Sequence, residues 1–155
     1  MAKLPLTGGC HCGALRYHVT TVPLGVYNCH CANCQRVGGG AFSTNVVVSP
    51  DGFVFVQGNP KEISWTSDAG TQRLGWFCQD CGCRIAHGQA TGIPVITLRT
   101  GSLDDKSWIN PVADFWTKSA QPWVKFPGDR PSYEQEPLDF EPLSEAFRAQ
   151  GIVFQ

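Results

Sequence analysis

Short stretches in which apolar and polar residues alternate predict a chain built mostly of β-strands. A period of two places successive side chains on opposite faces of a strand, as a half-buried sheet requires. The stretches with this pattern are 14–21, 41–49, 53–58, 72–77 and 94–100. Because 41–49 and 53–58 flank Pro50-Asp51-Gly52, they predict a hairpin closed by that turn.

One helix is predicted, over residues 142–152 near the end of the chain. Ser144 is a residue type that caps helices, and Gly151 is one that ends them. A loosely docked terminus is the alternative, and the pattern does not decide between the two. No linker interrupts the chain, so we expect a single domain over 1–155, with an irregular acidic tail from about residue 127.

Composition agrees with a globular, turn-rich protein. The 155 residues favour a single domain, and 42% hydrophobic with 16% charged residues excludes a disordered chain. The 17 glycines and 11 prolines indicate many turns. A formal net charge of -1 without long runs of one sign predicts neither a nucleic-acid nor a membrane partner. Without an apolar stretch long enough for a signal peptide, we expect a cytoplasmic protein, where disulfides are disfavoured.

All eight cysteines fall into three tight clusters with the spacing of metal ligands. The clusters are Cys10 and Cys12; Cys29, Cys31 and Cys34; and Cys78, Cys81 and Cys83. A C-x-x-C turn directs two sulfurs at one point, and an extended C-x-C segment places both on one face. The spacing therefore predicts thiolate-bound zinc, with two zinc sites per chain. Disulfides, free core cysteines and iron–sulfur ligation are the alternatives.

The spacing leaves open how eight ligands divide between two metals. A split of four and four gives two closed, structural sites. A split of four, three and one lets Cys29, Cys31 and Cys34 hold a metal alone, while Cys10, Cys12, Cys78 and Cys81 close the other site. A three-thiolate zinc keeps one coordination position open, as catalytic zinc sites do. The choice depends on Cys83.

Several ordered motifs resemble the glutathione-dependent formaldehyde-activating enzyme family. They are Gly9-Cys10-His11-Cys12-Gly13, Cys29-His30-Cys31-x-x-Cys34-x-Arg36-x-x-Gly39, Phe77-Cys78-x-x-Cys81-Gly82 and the stretch 115–124. The resemblance runs from about residue 7 to about residue 135. The chain departs from the family pattern at Gln35, where a basic residue often stands, and at Cys83.

The resemblance implies an all-β fold of the β-tent (Mss-four-like) type. It implies a structural zinc on Cys10, Cys12, Cys78 and Cys81. It also implies a catalytic zinc on Cys29, Cys31 and Cys34, for which Cys83 is a possible fourth ligand and which we expect to be partly occupied. The implied activity is that of a carbon–sulfur lyase, which joins glutathione to formaldehyde as S-hydroxymethylglutathione and splits the adduct again.

A site that accepts an anionic thiolate beside three protein thiolates needs a nearby cation. Arg36 directly follows the second cluster and is the first candidate for substrate binding, with Arg84 and Lys118 behind it. His87 could reach the open site, but a strand or turn position without a ligand role competes with that interpretation. Trp116 and Trp123 could stack on the substrate or simply pack in the core.

Two functions from other classes compete with the lyase. One is a non-catalytic binding module stabilised by zinc, which a basic tail would favour. This tail instead carries Asp129, Glu134, Glu136, Asp139, Glu141 and Glu145. The other is a redox or metal-storage protein that uses the second cluster as a labile thiolate set.

Overall fold

The computed structural model describes residues 1–92 and 94–155, which are mostly β-structure with two short helices. The strands are β1 (Leu6–Gly9), β2 (Arg16–Val19), β3 (Gly25–Cys29), β4 (Ser43–Val48), β5 (Phe53–Gln57), β6 (Lys61–Thr66), β7 (Gln72–Phe77), β8 (Arg84–Gln89), β9 (Ile96–Arg99) and β10 (Asp114–Phe115). The helices are α1 (Ala32–Gly38) and α2 (Glu141–Ala149). The mostly β-stranded chain predicted from the alternating pattern and the all-β class implied by the family resemblance are both confirmed.

The strands form two sheets. The small sheet has the order β1-β2-β5, and the large sheet has the order β10-β3-β4-β9-β8-β7-β6. Strand pairing is antiparallel throughout, apart from β10, which runs parallel to β3. The large sheet therefore brings β3, which ends at Cys29 of the second cysteine cluster, into one sheet with the β7–β8 hairpin.

The predicted hairpin between 41–49 and 53–58 is wrong. β4 pairs with β3 and β9 inside the large sheet, whereas β5 pairs with β2 at the edge of the small sheet. Val46, Val47 and Val48 are buried in succession, so β4 needs cover on both faces. The chain passes from one sheet to the other through a short 3₁₀ turn at Pro50–Gly52.

Side chains from both sheets belong to one hydrophobic cluster. Tyr17 and Val19 of the small sheet are fully buried, as are Val46 and Leu98 of the large sheet. The Tyr17 hydroxyl lies 2.9 Å from Ser102 Oγ, so this buried polar group has a partner. The core thus holds the loops that carry the cysteines at fixed positions.

The predicted terminal helix is confirmed, but it begins earlier than predicted. α2 starts after Phe140, and the Ser144 amide donates to the Phe140 carbonyl, so Ser144 lies inside the helix and the predicted cap is wrong. Gly151 follows the helix with a φ of 65°. A Cβ at Gly25 of β3 would lie 2.7 Å from Leu143 Cδ2, which explains the glycine where α2 packs on the sheet.

The two described helices are 7 and 9 residues long, and neither has the length and apolarity that crossing a membrane requires.

Candidate metal centres and the adjoining cavity

The first group of sulfurs joins the two sheets. Cys10 and Cys12 follow β1 of the small sheet, and Cys78 and Cys81 lie in the turn between β7 and β8 of the large sheet. All four sulfur atoms lie within 4.8 Å of one another. We call this group the four-sulfur cluster. A metal ion held there would link segments that meet only in the folded chain.

Local hydrogen bonds shape the loops of the four-sulfur cluster. Gly82 adopts a φ of 71°, and its amide donates to the Cys78 carbonyl at 2.8 Å. The Leu15 amide donates to Cys10 Sγ at 3.2 Å. Amide groups of Cys83 and Cys12 directed at Cys81 lower the pKa of that thiol to about 6. Amides that point at sulfur stabilise the thiolate form, which is the form that binds metals.

The sulfur–sulfur distances fit a tetrahedral metal. Cys10 Sγ lies 3.5 Å from Cys12 Sγ, and Cys12 Sγ lies 3.7 Å from Cys78 Sγ. Four sulfurs at the Zn–S distance of 2.3 Å stand about 3.8 Å apart in a tetrahedron. A disulfide needs about 2.05 Å, and all eight cysteines are free. The donor set and its spacing therefore suit zinc.

The second group of sulfurs sits where β3 ends and α1 begins. Cys29, Cys31 and Cys34 have their sulfurs within 4.8 Å of one another, and among the described residues the group has no fourth member. We call it the three-sulfur cluster. Cys31 caps α1, since its Sγ accepts from the Cys34 amide at 3.3 Å. Gly39, whose φ is 65°, follows the last helical residue and caps the end of α1.

A buried arginine lies against the three-sulfur cluster. Arg99 is 8% exposed, and its Nη1 donates to Cys34 Sγ at 3.4 Å and to Asn45 Oδ1 at 3.0 Å. Hydrogen bonds from Cys29 and Cys31 lower the pKa of Cys34 to about 2, and the charge of Arg99 adds to that effect. Arg99 therefore stabilises negative charge on the sulfurs. The only signal in the sequence was an arginine inside the apolar strand pattern of 94–100.

A buried polar network fixes the segment that carries Cys29 and Cys31. His30, between them, is 1% exposed, and its Nε2 lies 3.1 Å from Asp114 Oδ1. Burial alone would raise the pKa of Asp114, but hydrogen bonds from Arg130, His30 and Asn28 outweigh it and hold that pKa below its usual value. The network holds the His30 ring against Asp114, and His30 is not a member of either group of possible metal ligands.

All three cysteines of this cluster line a cavity of about 270 Å³. Aromatic rings form much of its wall, and the charged groups that line it come from β7 and from loops beside the sheet. The aromatic residues are Tyr27, Trp65, Phe115, Trp116 and Phe140. The charged residues other than cysteine are Asp68, Arg73 and Glu136. A concave apolar site with a few polar groups is the usual form of a small-molecule pocket.

Trp116 adopts strained backbone angles in the wall of this cavity. Its φ of 60° and ψ of 39° lie in the left-handed region, which costs a bulky residue about 1–3 kcal/mol. Amides of Trp116 and Thr117 donate to the carbonyls of Gln135 and Tyr133, at 3.4 and 3.0 Å, and hold the strained segment. The fold thus maintains an aromatic ring against the cavity.

His87 also lines the cavity, from β8. Burial, with the nearby charge of Arg99 as a smaller cause, lowers the pKa of His87 to about 3, so the ring is neutral at pH 7. Its Nδ1 is buried without a hydrogen-bond partner among the described residues. This nitrogen can therefore hydrogen-bond a guest, and the neutral ring adds no charge to the cavity.

The structure places the other predicted site residues outside the cavity wall. Arg36 lies on the exposed face of α1, and Trp123 is 69% exposed. Lys118 is exposed, with Nζ 5.0 Å above the Trp116 ring, and the Arg84 guanidinium lies 5.2 Å above the Trp65 ring. Arg84 and Lys118 therefore contact aromatic rings of the cavity wall but do not line the cavity themselves.

Cys83 lies with the four-sulfur cluster and not with the three-sulfur one. Its carbonyl accepts from the Cys78 amide at 3.0 Å, and its sulfur points to the Arg84 carbonyl at 3.9 Å. It is not a member of either ligand group. The three-sulfur cluster therefore does not have this residue as a fourth ligand.

We expect Cys83→Ser to keep the metal content of the wild type. The substitution preserves the backbone bonds of the turn and removes no sulfur from either group. Elemental analysis of the purified variant, beside Cys81→Ser as the contrasting substitution, measures this directly. Loss of one metal ion with an intact fold would make Cys83 a ligand.

The fold and the two sulfur clusters define the class: this is an all-β protein with two groups of cysteines that could each hold a metal ion. The model of the glutathione-dependent formaldehyde-activating enzyme family matches residues 5–119, and the chain belongs to this family. The crystal structure of a Rhodobacter sphaeroides protein has a similar fold, with a TM-score of 0.53 and 20% identity. That alignment covers 82% of this chain and 99% of the other.

Proposed function

We propose that the chain is a zinc-dependent carbon–sulfur lyase that splits and forms the adduct of a thiol and an aldehyde. One observation carries the proposal: the cluster with only three sulfurs is the one that opens onto the aromatic cavity. Three protein ligands and one open position are typical of catalytic zinc, whereas four ligands are typical of structural zinc. The family supplies the reference substrate, S-hydroxymethylglutathione.

Cys29, Cys31 and Cys34 would hold the catalytic zinc, and Cys10, Cys12, Cys78 and Cys81 the structural one. The metal supplies one piece of chemistry when bound, since a thiol that coordinates zinc loses its proton. Three thiolates and one Zn²⁺ leave a formal charge of -1. The buried charge of Arg99 beside Cys34 offsets it, so a further anionic sulfur meets less repulsion.

The reaction needs no oxidant or reductant. In the direction of cleavage, the adduct R–S–CH₂–OH loses its hydroxyl proton, and the C–S electron pair leaves with sulfur. The products are formaldehyde and the thiolate, or the thiol once sulfur takes up the proton. A neutral His87 ring can hydrogen-bond the adduct hydroxyl, and the aromatic walls give the reacting carbon apolar surroundings.

The function is tested by exchange spectroscopy with ¹³C-formaldehyde and a thiol. Zinc-loaded protein should speed the interconversion of free formaldehyde and its thiol adduct above the uncatalysed rate. Equal rates with and without the protein, for every thiol tried, would leave a zinc-stabilised binding module as the better account.

We expect Arg99→Met to weaken metal binding at the three-sulfur cluster by about 10- to 100-fold, the range typical of residues that support metal ligands. The four-sulfur cluster should be unaffected because it lies in other loops. Competition with a chromophoric chelator resolves the two metals. Arg99→Lys, which keeps the charge, should restore part of the affinity if charge is the cause.

The exposed Arg148 offers a matched control for Arg99. It pairs with Glu141 on α2, so Arg148→Met removes the same charge without touching either cluster. Metal affinity that falls equally in both variants would mean that net charge matters and the Cys34 contact does not.

The substrate-binding role expected for Arg36 stays a prediction. Its side chain is exposed on α1, so it would have to contact a substrate from outside the cavity.

A further inference from the structure

The walls of the cavity suit an apolar guest. Tyr27 and Phe115 stack with ring centroids 4.3 Å apart, and Trp65 and Phe140 add two more aromatic faces. The strained backbone of Trp116 holds a fifth ring there. Burial of an apolar body against such a wall is favourable, whereas burial of an unpaired charge is costly.

The charges of the wall disfavour a carboxylate. Among the described residues that line the cavity, Arg73 is the one lysine or arginine. Its Nη2 already donates to both carboxylate oxygens of Glu136, at 2.9 and 3.2 Å. Asp68 adds a second carboxylate at the exposed rim. A carboxylate that entered would meet two like charges and a cation that is already paired.

Four further cations lie near the cavity, but none of them lines its wall. Arg99 is buried against Cys34, and the Arg84 guanidinium lies over the Trp65 ring. Lys118 lies over Trp116, and Arg36 is exposed on α1. Their charges sit near the cluster or outside the cavity, so none of them forms part of the wall that a bound thiol would contact.

Part of the wall comes from outside the segment that the family shares. The family match ends at residue 119, and Glu136 and Phe140 follow it in the chain. Glu136 pairs with Arg73. A residue beyond the family match therefore determines whether the Arg73 guanidinium is available to pair with a ligand. The cysteines of the site therefore lie within the family match, whereas Glu136 and Phe140 of the cavity wall lie beyond it.

We propose that the thiol accepted by this site is a small thiol with an apolar, preferably aromatic, body and no carboxylate. The inference rests on the proposed lyase function and assigns only the group R of the adduct R–S–CH₂–OH. Glutathione, with two carboxylates, is then a poor ligand of this member of the family. The C–S bond that breaks and the proton that moves are those of the proposed reaction.

Two thiols that differ by one carboxylate test the inference. Benzyl mercaptan and 4-(mercaptomethyl)benzoate share the same body, and glutathione serves as the third ligand. Calorimetry on zinc-loaded wild-type protein, corrected for the ionised fraction of each thiol, should give benzyl mercaptan an affinity about tenfold above the other two. Equal or tighter binding of the benzoate or of glutathione overturns the inference and leaves the lyase proposal standing.

Failure of the lyase proposal looks different. If none of the three thiols binds, and no formaldehyde adduct of any of them is turned over, the proposed function falls and the inference falls with it. Binding and turnover of glutathione that depend on Arg36, lost in Arg36→Ala, would also overturn the inference while supporting the lyase.

Glu136→Gln tests the physical cause. Without the Glu136 charge, Arg73 is free to pair with an incoming carboxylate, so the affinity ratio between the two aromatic thiols should fall from about tenfold towards one. Glu134→Gln removes a neighbouring exposed charge that does not line the cavity, and it should keep the wild-type ratio. An unchanged ratio in Glu136→Gln overturns the assignment.

Discussion

Cys10→Ser and Cys81→Ser should each leave the protein unfolded or insoluble. The four-sulfur cluster connects the loop after β1 to the β7–β8 turn and so joins the two sheets. A structural zinc ion is worth about 10–16 kcal/mol of apparent binding energy in small peptides. That is as large as the whole free energy of unfolding of an ordinary domain, about 5–15 kcal/mol. Loss of one ligand therefore removes most of the stability.

Circular dichroism and metal analysis of the soluble fraction measure this effect. Cys83→Ser is the matched control, because it changes a cysteine in the same turn that belongs to neither ligand group. A folded Cys81→Ser protein that retains its full metal content would contradict the structural role of the four-sulfur cluster.

Cys31→Ser should abolish turnover while the fold stays intact. If the three-sulfur cluster holds a catalytic metal as proposed, that metal contributes several kcal/mol, so its loss should lower the rate of adduct cleavage by about a thousandfold or more. The fold should survive because serine also caps helices and can replace the Cys31 sulfur at the start of α1. The four-sulfur cluster keeps its ligands in this variant.

The same ¹³C exchange assay gives the rate, and the far-ultraviolet spectrum gives the fold. Metal analysis should find one metal ion fewer than in the wild type. If Cys31→Ser keeps the wild-type rate, the three-sulfur cluster does not carry the reaction, even if it binds a metal.

The cysteines of both possible metal sites could be predicted from the sequence, because a short spacing between two cysteines limits how far apart their sulfur atoms can lie. C-x-C and C-x-x-C segments bring their own sulfurs together whatever the rest of the fold does. The pairing of Cys10 and Cys12 with Cys78 and Cys81, which the family resemblance implied, is the arrangement in which the structure groups these sulfurs. Whether Cys83 is a ligand could not be predicted in this way. The answer depends on which of the other cysteine-bearing segments lies next to the β7–β8 turn in the folded chain.

Strand pairing was harder to predict than strand existence. The stretches 41–49 and 53–58 alternate as strands do, yet they enter different sheets. A local turn signal says that the chain changes direction, and it does not say with which neighbour each strand pairs. Three successive valines of β4 are buried, which requires cover on both faces of the strand, and β4 accordingly lies inside the large sheet. The helix α1 was missed because it is only seven residues long and ends in Val37 and Gly38, a β-branched residue and a glycine, which both disfavour helices.

The sequence by itself determined the all-β class, the family and the cysteines that can serve as ligands, since each is written in local spacing and pattern. Only the tertiary structure decided what surrounds the three-sulfur cluster. Arg99, His87 and Glu136 come from distant segments, and the sheet and the chain after β10 bring them beside Cys34 or into the cavity wall. Charge balance and guest selection depend on such through-space contacts, which carry no short-range signal in the chain. That is why Arg36, the nearest cation in sequence, lies outside the cavity, while Arg99, 65 positions from Cys34, touches its sulfur.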